Sequence, residues 1–321
     1  MTELAQPSPT PLAPPIQTPL WQVRLRLLLR GARTNLRLFA ENPIGLVGVA
    51  IIVFYLMFTI LHPILMNTVW DQNTYDPVVG YDPEIIEHPA PPSIKHILGT
   101  DPLGRDVLSQ LMWSTRSEFI LGLVAALVQV IIATSIGAMA AYFGGATDTI
   151  FMRLADIVIM MPYITILIVI SALFDLTLPA LAIVLGLLGG FGGATIIIKS
   201  QALTIKVRTY IEAARVAGGG NGHIIFRHII PNLLPISFLY MMFAVNGAIA
   251  SEAVLSFFGL LNVRMSWGLM IYTASYSGYL LDFEKWWLIF PASVSISLLC
   301  AAFYLVGRAL DEIVNPRLRK R

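Results

Sequence analysis

In 321 residues the chain sets 56% hydrophobic side chains against 12% charged ones, about half the charged share of ordinary soluble domains. A water-soluble fold of that make-up lacks the polar groups to cover itself, so the composition excludes one and points to an integral membrane protein. A formal charge of +2 is too small to argue for nucleic acid, and the single cysteine, Cys300, excludes a disulfide or a cysteine-based metal site within the chain.

Residues 1–19 carry six prolines and almost no charge, which predicts a disordered tail with nothing resembling a cleavable signal. In 20–43, Arg26, Arg30, Arg33 and Arg37 recur at helical spacing among leucines. That pattern predicts a basic amphipathic helix on the membrane surface, or a polar extension of the first spanning helix. Six segments then reach the roughly 20 apolar residues a crossing helix needs: 44–66, 117–142, 151–173, 179–198, 236–259 and 287–308. The expected fold is all-α and integral to the membrane. Its units are 44–116 (first span and outer loop), 117–308 (a core of five spans) and a basic tail at 309–321. Gly137, Pro162 and the glycines of 186–193 interrupt individual spans, as neighbouring helices or a cavity can allow. The spacings Gly186/Gly190 and Gly189/Gly193 either permit close helix packing or mark a frayed fourth helix.

Lysines and arginines set the orientation. With the N-terminus inside, the inner segments hold 14 of them and the outer segments 5, so both termini and 199–235 are expected in the cytoplasm. Segment 67–116 is then an outer loop, acidic and proline-rich, too long for a simple connection and expected to fold as a cap. A second outer segment, 260–286, ends at Trp286 and Trp287, where an interfacial aromatic anchor is expected.

Little catalytic chemistry is legible. Ala217-Gly218-Gly219-Gly220-Asn221-Gly222-His223 lacks the lysine of a phosphate loop, and neither a metalloprotease nor a serine-hydrolase pattern is present. His223 and His228 lack an evident third ligand and read as solvated loop histidines. Arg153, Asp156 and Glu252 fall in or near spans and are candidates for a pathway or a structural role. Arg153 and Asp156 are spaced to pair along a helix, and Glu252 falls near the outer interface. A self-sufficient channel or secondary transporter would want inverted repeats and more intramembrane charge than this.

The most distinctive stretch is 210–235. Tyr210–Ala217 predicts a short helix that Gly218 stops in the left-handed conformation, Ile224–Ile230 resumes helical, and Pro231 and Pro235 lead into the fifth span. The result is a helix–turn–helix with small residues at its tip, a shape suited to being gripped by another protein.

Glu212-Ala213-Ala214, Gly218 six residues after the glutamate and Pro231 nineteen after it resemble the EAA motif of permease subunits in bacterial ABC importers. Arg227-His228-Ile229-Ile230-Pro231-Asn232 looks like the variant in the peptide-importer branch. Other blocks agree: Gly99, Thr100 and Asp101 with Gly104, Arg105 and Asp106 before the second span, Arg153 and Asp156 in the third, Leu255–Gly259, Ser266-Trp267-Gly268 and Asn315-Pro316-Arg317. Together they are similar to the C-type permease of dipeptide, oligopeptide and nickel importers. Departures are Phe191 and Ile196, where tryptophan and arginine are usual, and the extra glycines of 218–222. The resemblance implies that Glu212, Ala213, Ala214, Arg215 and Gly218 form an ATPase-docking coupling helix. It also implies a homologous B-type permease, two cytoplasmic ATPases that hold the ATP and magnesium, and an extracytoplasmic binding protein. No cofactor and no catalysis are then expected in this chain.

Overall fold

The computed structural model describes residues 37–314, and every regular element among them is helical. The tail 1–19, most of the amphipathic segment 20–43 and the Asn315-Pro316-Arg317 block lie outside the described residues, although 37–40 are helical and Arg37 pairs with Glu41 at 3.3 Å.

Helix α1 (Pro43–Thr68) begins where Asn42 Oδ1 accepts the Gly45 amide at 3.0 Å and Pro43 fills the first helical position. It buries only the stripe Gly45, Gly48, Tyr55 and His62 and leaves a broad aliphatic face exposed. A short turn, α2 (Gln72–Tyr75), opens the cap, which runs on to Asp106. The central pillar is α3 (Val107–Phe143), capped by Asp106, whose Oδ1 accepts the Ser109 amide at 2.6 Å. At 37 residues it is about 55 Å long.

The third expected span is two helices, α4 (Gly145–Met160) and α5 (Tyr163–Leu173), bent by 85° where Pro162 cannot continue the ladder. The fourth is α6 (Leu178–Gly190) and α7 (Gly193–Lys206), bent by 45°. Then come α8 (Thr209–Val216), α9 (Asn221–Ile224), a π-helical turn over Ile225–Ile229 and α10 (Ile230–Phe257). Helix α11 (Trp267–Tyr276), a 3₁₀ turn over Phe283–Leu288 and α12 (Phe290–Val314) complete the chain.

By length and composition four helices can cross a membrane, Pro43–Thr68, Val107–Phe143, Asn221–Phe257 and Phe290–Ile313, and six spans result if each bent pair counts as one. The second starts ten residues earlier than its apolar run, because Ser109, Gln110, Ser114 and Thr115 are buried polar residues that hydropathy discounts. Their polar groups are satisfied locally: the Ser114 and Thr115 hydroxyls donate to the carbonyls of Gln110 and Leu111 at 2.8 and 2.9 Å. The pillar packs against α1, α6, α7 and α10. Gly186 and Gly190 are what let α6 approach it: a Cβ on Gly186 would sit 2.5 Å from Val128, and one on Gly190 2.8 Å from Ile132. Both expectations for that helix hold in part, since it packs closely through these glycines and breaks just after them, at Phe191–Gly192.

Candidate functional site

The hairpin between α7 and α10 is built on buried isoleucines. Ile211, Ile224 and Ile229 are fully buried and Ile225 nearly so. They pack with Ala138, Ala141 and Tyr142 at the C-terminal end of α3 and with Ile198, Ala202 and Ile205 of α7. Polar ties hold the same seam. The Lys206 ammonium donates to the Ala141 carbonyl at 3.0 Å, the Tyr142 hydroxyl donates to Asn221 Oδ1 at 2.8 Å, and Arg215 lies 6.0 Å over the Tyr142 ring.

Helix α8 stops where the sequence predicts. Gly218 has φ +83°, its amide bonds the Arg215 carbonyl at 3.0 Å, and the Gly219 amide bonds that of Ala214 at 2.9 Å. This is the paired closure of a Schellman end, which asks for glycine at the left-handed position. A Cβ on Gly218 would touch nothing, so conformation, not crowding, requires the glycine. The outward face carries Glu212, Ala213 and Arg215 exposed and Ala214 half-buried. Beside them Val216 and Phe226 are 90% and 70% exposed. Sequence reasoning passed over these two; the available signal was a large apolar side chain in a charged, glycine-rich stretch.

The cap is held by buried charge. His96 donates from Nδ1 to Asp106 at 2.8 Å and from Nε2 to Asp82 at 3.0 Å, and all three are buried. Lys95 reaches Asp82 at 2.8 Å and Glu84 at 2.7 Å. The Asp106 bond, opposed by burial and reinforced by Asp82, raises the His96 imidazole above its ordinary 6.5. Burial works against the charge on Asp82, but hydrogen bonds from Lys95 and His96 outweigh it and hold the carboxyl at about 2.

The Gly99–Asp106 block is the base of this cap. Asp101 accepts the Leu103 and Arg105 amides, both at 2.9 Å, the Arg105 Nε at 2.7 Å and the Gln110 amide at 2.9 Å. Thr100 Oγ1 meets His88 and the Ala90 amide, both at 2.8 Å, and the Thr100 carbonyl accepts the Trp287 indole at 3.2 Å. Gly99 and Gly104 have φ +73° and +84°, and a side chain on either would strike Trp287 or Tyr81 respectively. These six residues pin 70–106 to α3 and to the segment before α12. Trp287, expected as an interfacial anchor, is instead buried beneath the cap.

The intramembrane candidates separate. Arg153 and Asp156 pair at 3.5 Å on the surface of α4, with side chains 79% and 47% exposed. Glu252 corrects the expectation of an interfacial group: it is fully buried, because α11 folds back over it and Ser256 and Ser266 extend a hydrogen-bond chain from its Oε1. Glu118 of α3 is equally buried, and neither of its carboxyl oxygens has a hydrogen-bond partner among the described residues. Among the described residues no cation pairs with either carboxyl. Glu118 escaped the sequence reading because a long apolar window surrounds it. His223 and His228 lie ring to ring at 5.4 Å, and among the described residues no cluster of three metal-ligating side chains occurs.

Fold and sites together define a multi-pass helical membrane protein with a packed cap at one end of a central pillar and an exposed hairpin at the other. Residues 133–320 match the family described as "Binding-protein-dependent transport system inner membrane component", and the chain belongs to that family. It is 30% identical over 290 residues to the dipeptide transport system permease protein DppC of Bacillus subtilis (strain 168), covering 88% of this chain and 85% of the relative. It is 31% identical over 284 residues to the oligopeptide transport system permease protein OppC of the same organism, covering 88% of each. With OppC of Escherichia coli (strain K12) it shares 29% over 301 residues, 93% of this chain and 94% of the relative.

Proposed function

We propose that this chain is the C-type permease subunit of an ATP-driven importer for peptides or similar small solutes, paired with a homologous B-type permease around a shared pathway. One observation carries the reading: the hairpin is sealed to the foot of α3 by four buried isoleucines while Glu212, Ala213, Arg215, Val216 and Phe226 face outward. Such an element transmits force without yielding and offers an apolar, small-residue surface with one carboxylate to a partner.

Two cytoplasmic ATPases hold this hairpin and its counterpart, and they bind the ATP and magnesium. Nucleotide-driven closure shifts α8, and its isoleucines carry α3, α7 and α10 with it. At the other end the cap follows α3, since Asp106, which caps α3 through the Ser109 amide, accepts His96 at 2.8 Å, and Gln110 of α3 donates to Asp101 at 2.9 Å. The cap is where a substrate-loaded binding protein docks; Ile86 and Ile94 stand almost wholly exposed on it. The protein sits in the inner membrane with both termini cytoplasmic. The relatives in transport systems and the scarcity of intramembrane charge favour this over a self-sufficient channel or secondary transporter.

The test is affinity purification of the chain from native membranes in mild detergent, with mass spectrometry of retained proteins. The account expects a second permease and one or two ATPases with the unsubstituted chain. Glu212→Ala or Gly218→Val should lose the ATPases and keep the second permease. Retention of ATPases and full transport in both variants would sink the docking claim.

A further inference from the structure

Four helices leave an open cavity of about 240 Å³, whose wall includes Gln129 of α3, Tyr163 of α5, Gly189 of α6, and Phe243, Ala244 and Gly247 of α10. Gln129 lies well inside the length of α3, about 33 Å from its first residue and 21 Å from its last. Its carboxamide makes no hydrogen bond to any described residue. In hydrocarbon such a group is heavily penalised, so a free amide at this depth belongs in water or against a polar ligand.

Both broken spans break beside it. Tyr163 is the first residue after the 85° bend at Met161–Pro162, and Gly189 is the penultimate residue of α6, just before the 45° break. A side chain on Gly189 would run into the Gln129 carboxamide. Interrupted backbone at membrane depth is tolerated where it is covered by protein or lines a wet cavity, and Met161, Pro162 and Tyr163 are exposed in this chain. The walls also differ from a lipid face. The outer side of α1 is a sheet of exposed Leu46, Val53, Phe54, Met57 and Ile60. Around the cavity α10 presents Ala244, Gly247 and Ala248 beside Phe243, and a Cβ on Gly247 would meet open space. Beside this wall the Ser251 hydroxyl donates to the Gly247 carbonyl at 2.7 Å, while the Gln129 carboxamide is left without a hydrogen-bond partner among the described residues.

Resting on the importer reading above, we propose that this cavity lines the solute route and that the Gln129 carboxamide hydrogen-bonds the main chain of a passing peptide. A primary amide offers both a donor and an acceptor, the complement of a peptide group whatever side chains it bears. The apolar ring faces of Tyr163 and Phe243 accept those side chains without selecting among them. A volume of about 240 Å³ holds one residue-sized piece, so the contact is with a segment of the solute.

The experiment uses the intact transporter complex in sealed vesicles, with Cys300→Ser as background. Gln129→Cys should react with a charged, water-soluble methanethiosulfonate at least tenfold faster than Phe54→Cys on the aliphatic face of α1. Trialanine, the probe, should slow that reaction threefold or more during ATP turnover. Gln129→Leu should raise the KM for trialanine about tenfold, the loss of roughly one hydrogen bond, and Gln129→Asn should restore part of it. Labelling no faster than at position 54 overturns the cavity as an aqueous route. Fast labelling with no protection and an unchanged KM in Gln129→Leu overturns the main-chain contact. If the unsubstituted complex carries no trialanine, the peptide reading fails by itself, and the labelling ratio still decides the route.

Discussion

The cap and the hairpin sit at opposite ends of α3 and are fastened to it by opposite chemistry. At the cap end the seam is ionic: His96 between Asp82 and Asp106, Asp101 around Arg105 and Gln110, and two indoles on main-chain carbonyls. At the hairpin end it is isoleucine on alanine, with one tyrosine–asparagine bond and one lysine on a carbonyl. Buried ion pairs are unforgiving of displacement, because moving one partner leaves the other charged and dry. Apolar contacts between small residues keep most of their energy through a small sliding motion, since they have no direction. The cap is thus built to hold one geometry, and the hairpin to stay attached while it is pushed.

That contrast can be broken at either end. His96→Ala should cost the cap roughly 4 kcal/mol, because it leaves buried Asp106 without its charged partner and Asp82 with Lys95 alone, read as faster hydrogen exchange at the Thr100 and Val107 amides with the hairpin amides unchanged. The same seam gives the cap a pH signature. His96, raised on folding, contributes fully below 6.5 and loses its contribution as pH climbs through the raised value. Asp82, lowered, contributes above 3.8 and loses its contribution only as pH falls toward about 2. Exchange in the cap, corrected for its intrinsic rate, should therefore be slowest between 3.8 and 6.5 and accelerate first on the alkaline side. The hairpin should show no such profile. Ile211→Ala should cost the hairpin seam roughly 3 kcal/mol, seen as protease cleavage across Gly218–Gly220 and as ATPase activity no longer stimulated by solute. Tyr142→Phe removes one hydrogen bond, roughly 1 kcal/mol, and should leave transport measurable with a small rise in the same cleavage. Equal pH sensitivity at both ends would erase the distinction.

How much was legible in the sequence follows from which interactions leave a periodic trace. Long apolar runs do: four fall on helices long and apolar enough to cross a membrane, the second beginning ten residues before its run, and two fall on bent pairs, where a hydropathy window cannot see an 85° turn at Pro162. The left-handed stop at Gly218 is legible because one residue type satisfies one backbone conformation. The cap triad is not: Asp82 and Asp106 lie 14 and 10 residues from His96 in irregular chain, so nothing but the fold brings them together. Glu118 and Glu252 are further apart still, and depth counted along a single helix placed Glu252 at an interface. What buries it is α11, a short helix folded back over α10, to which counting along one span is blind. Gln129 was hidden for a similar reason, one amide in an apolar window whose meaning depends on three other helices.

The central claim is that the exposed face of α8 is held by a nucleotide-hydrolysing partner while its buried face drives the pillar. The most direct measurement places a photo-crosslinking amino acid at Ala213 in the chain as expressed in its native membrane, with a second at Phe54 for comparison. The account predicts that position 213 captures an ATPase subunit and that position 54 does not. Capture of no ATPase at 213, in membranes where the second permease co-purifies with this chain, would contradict it.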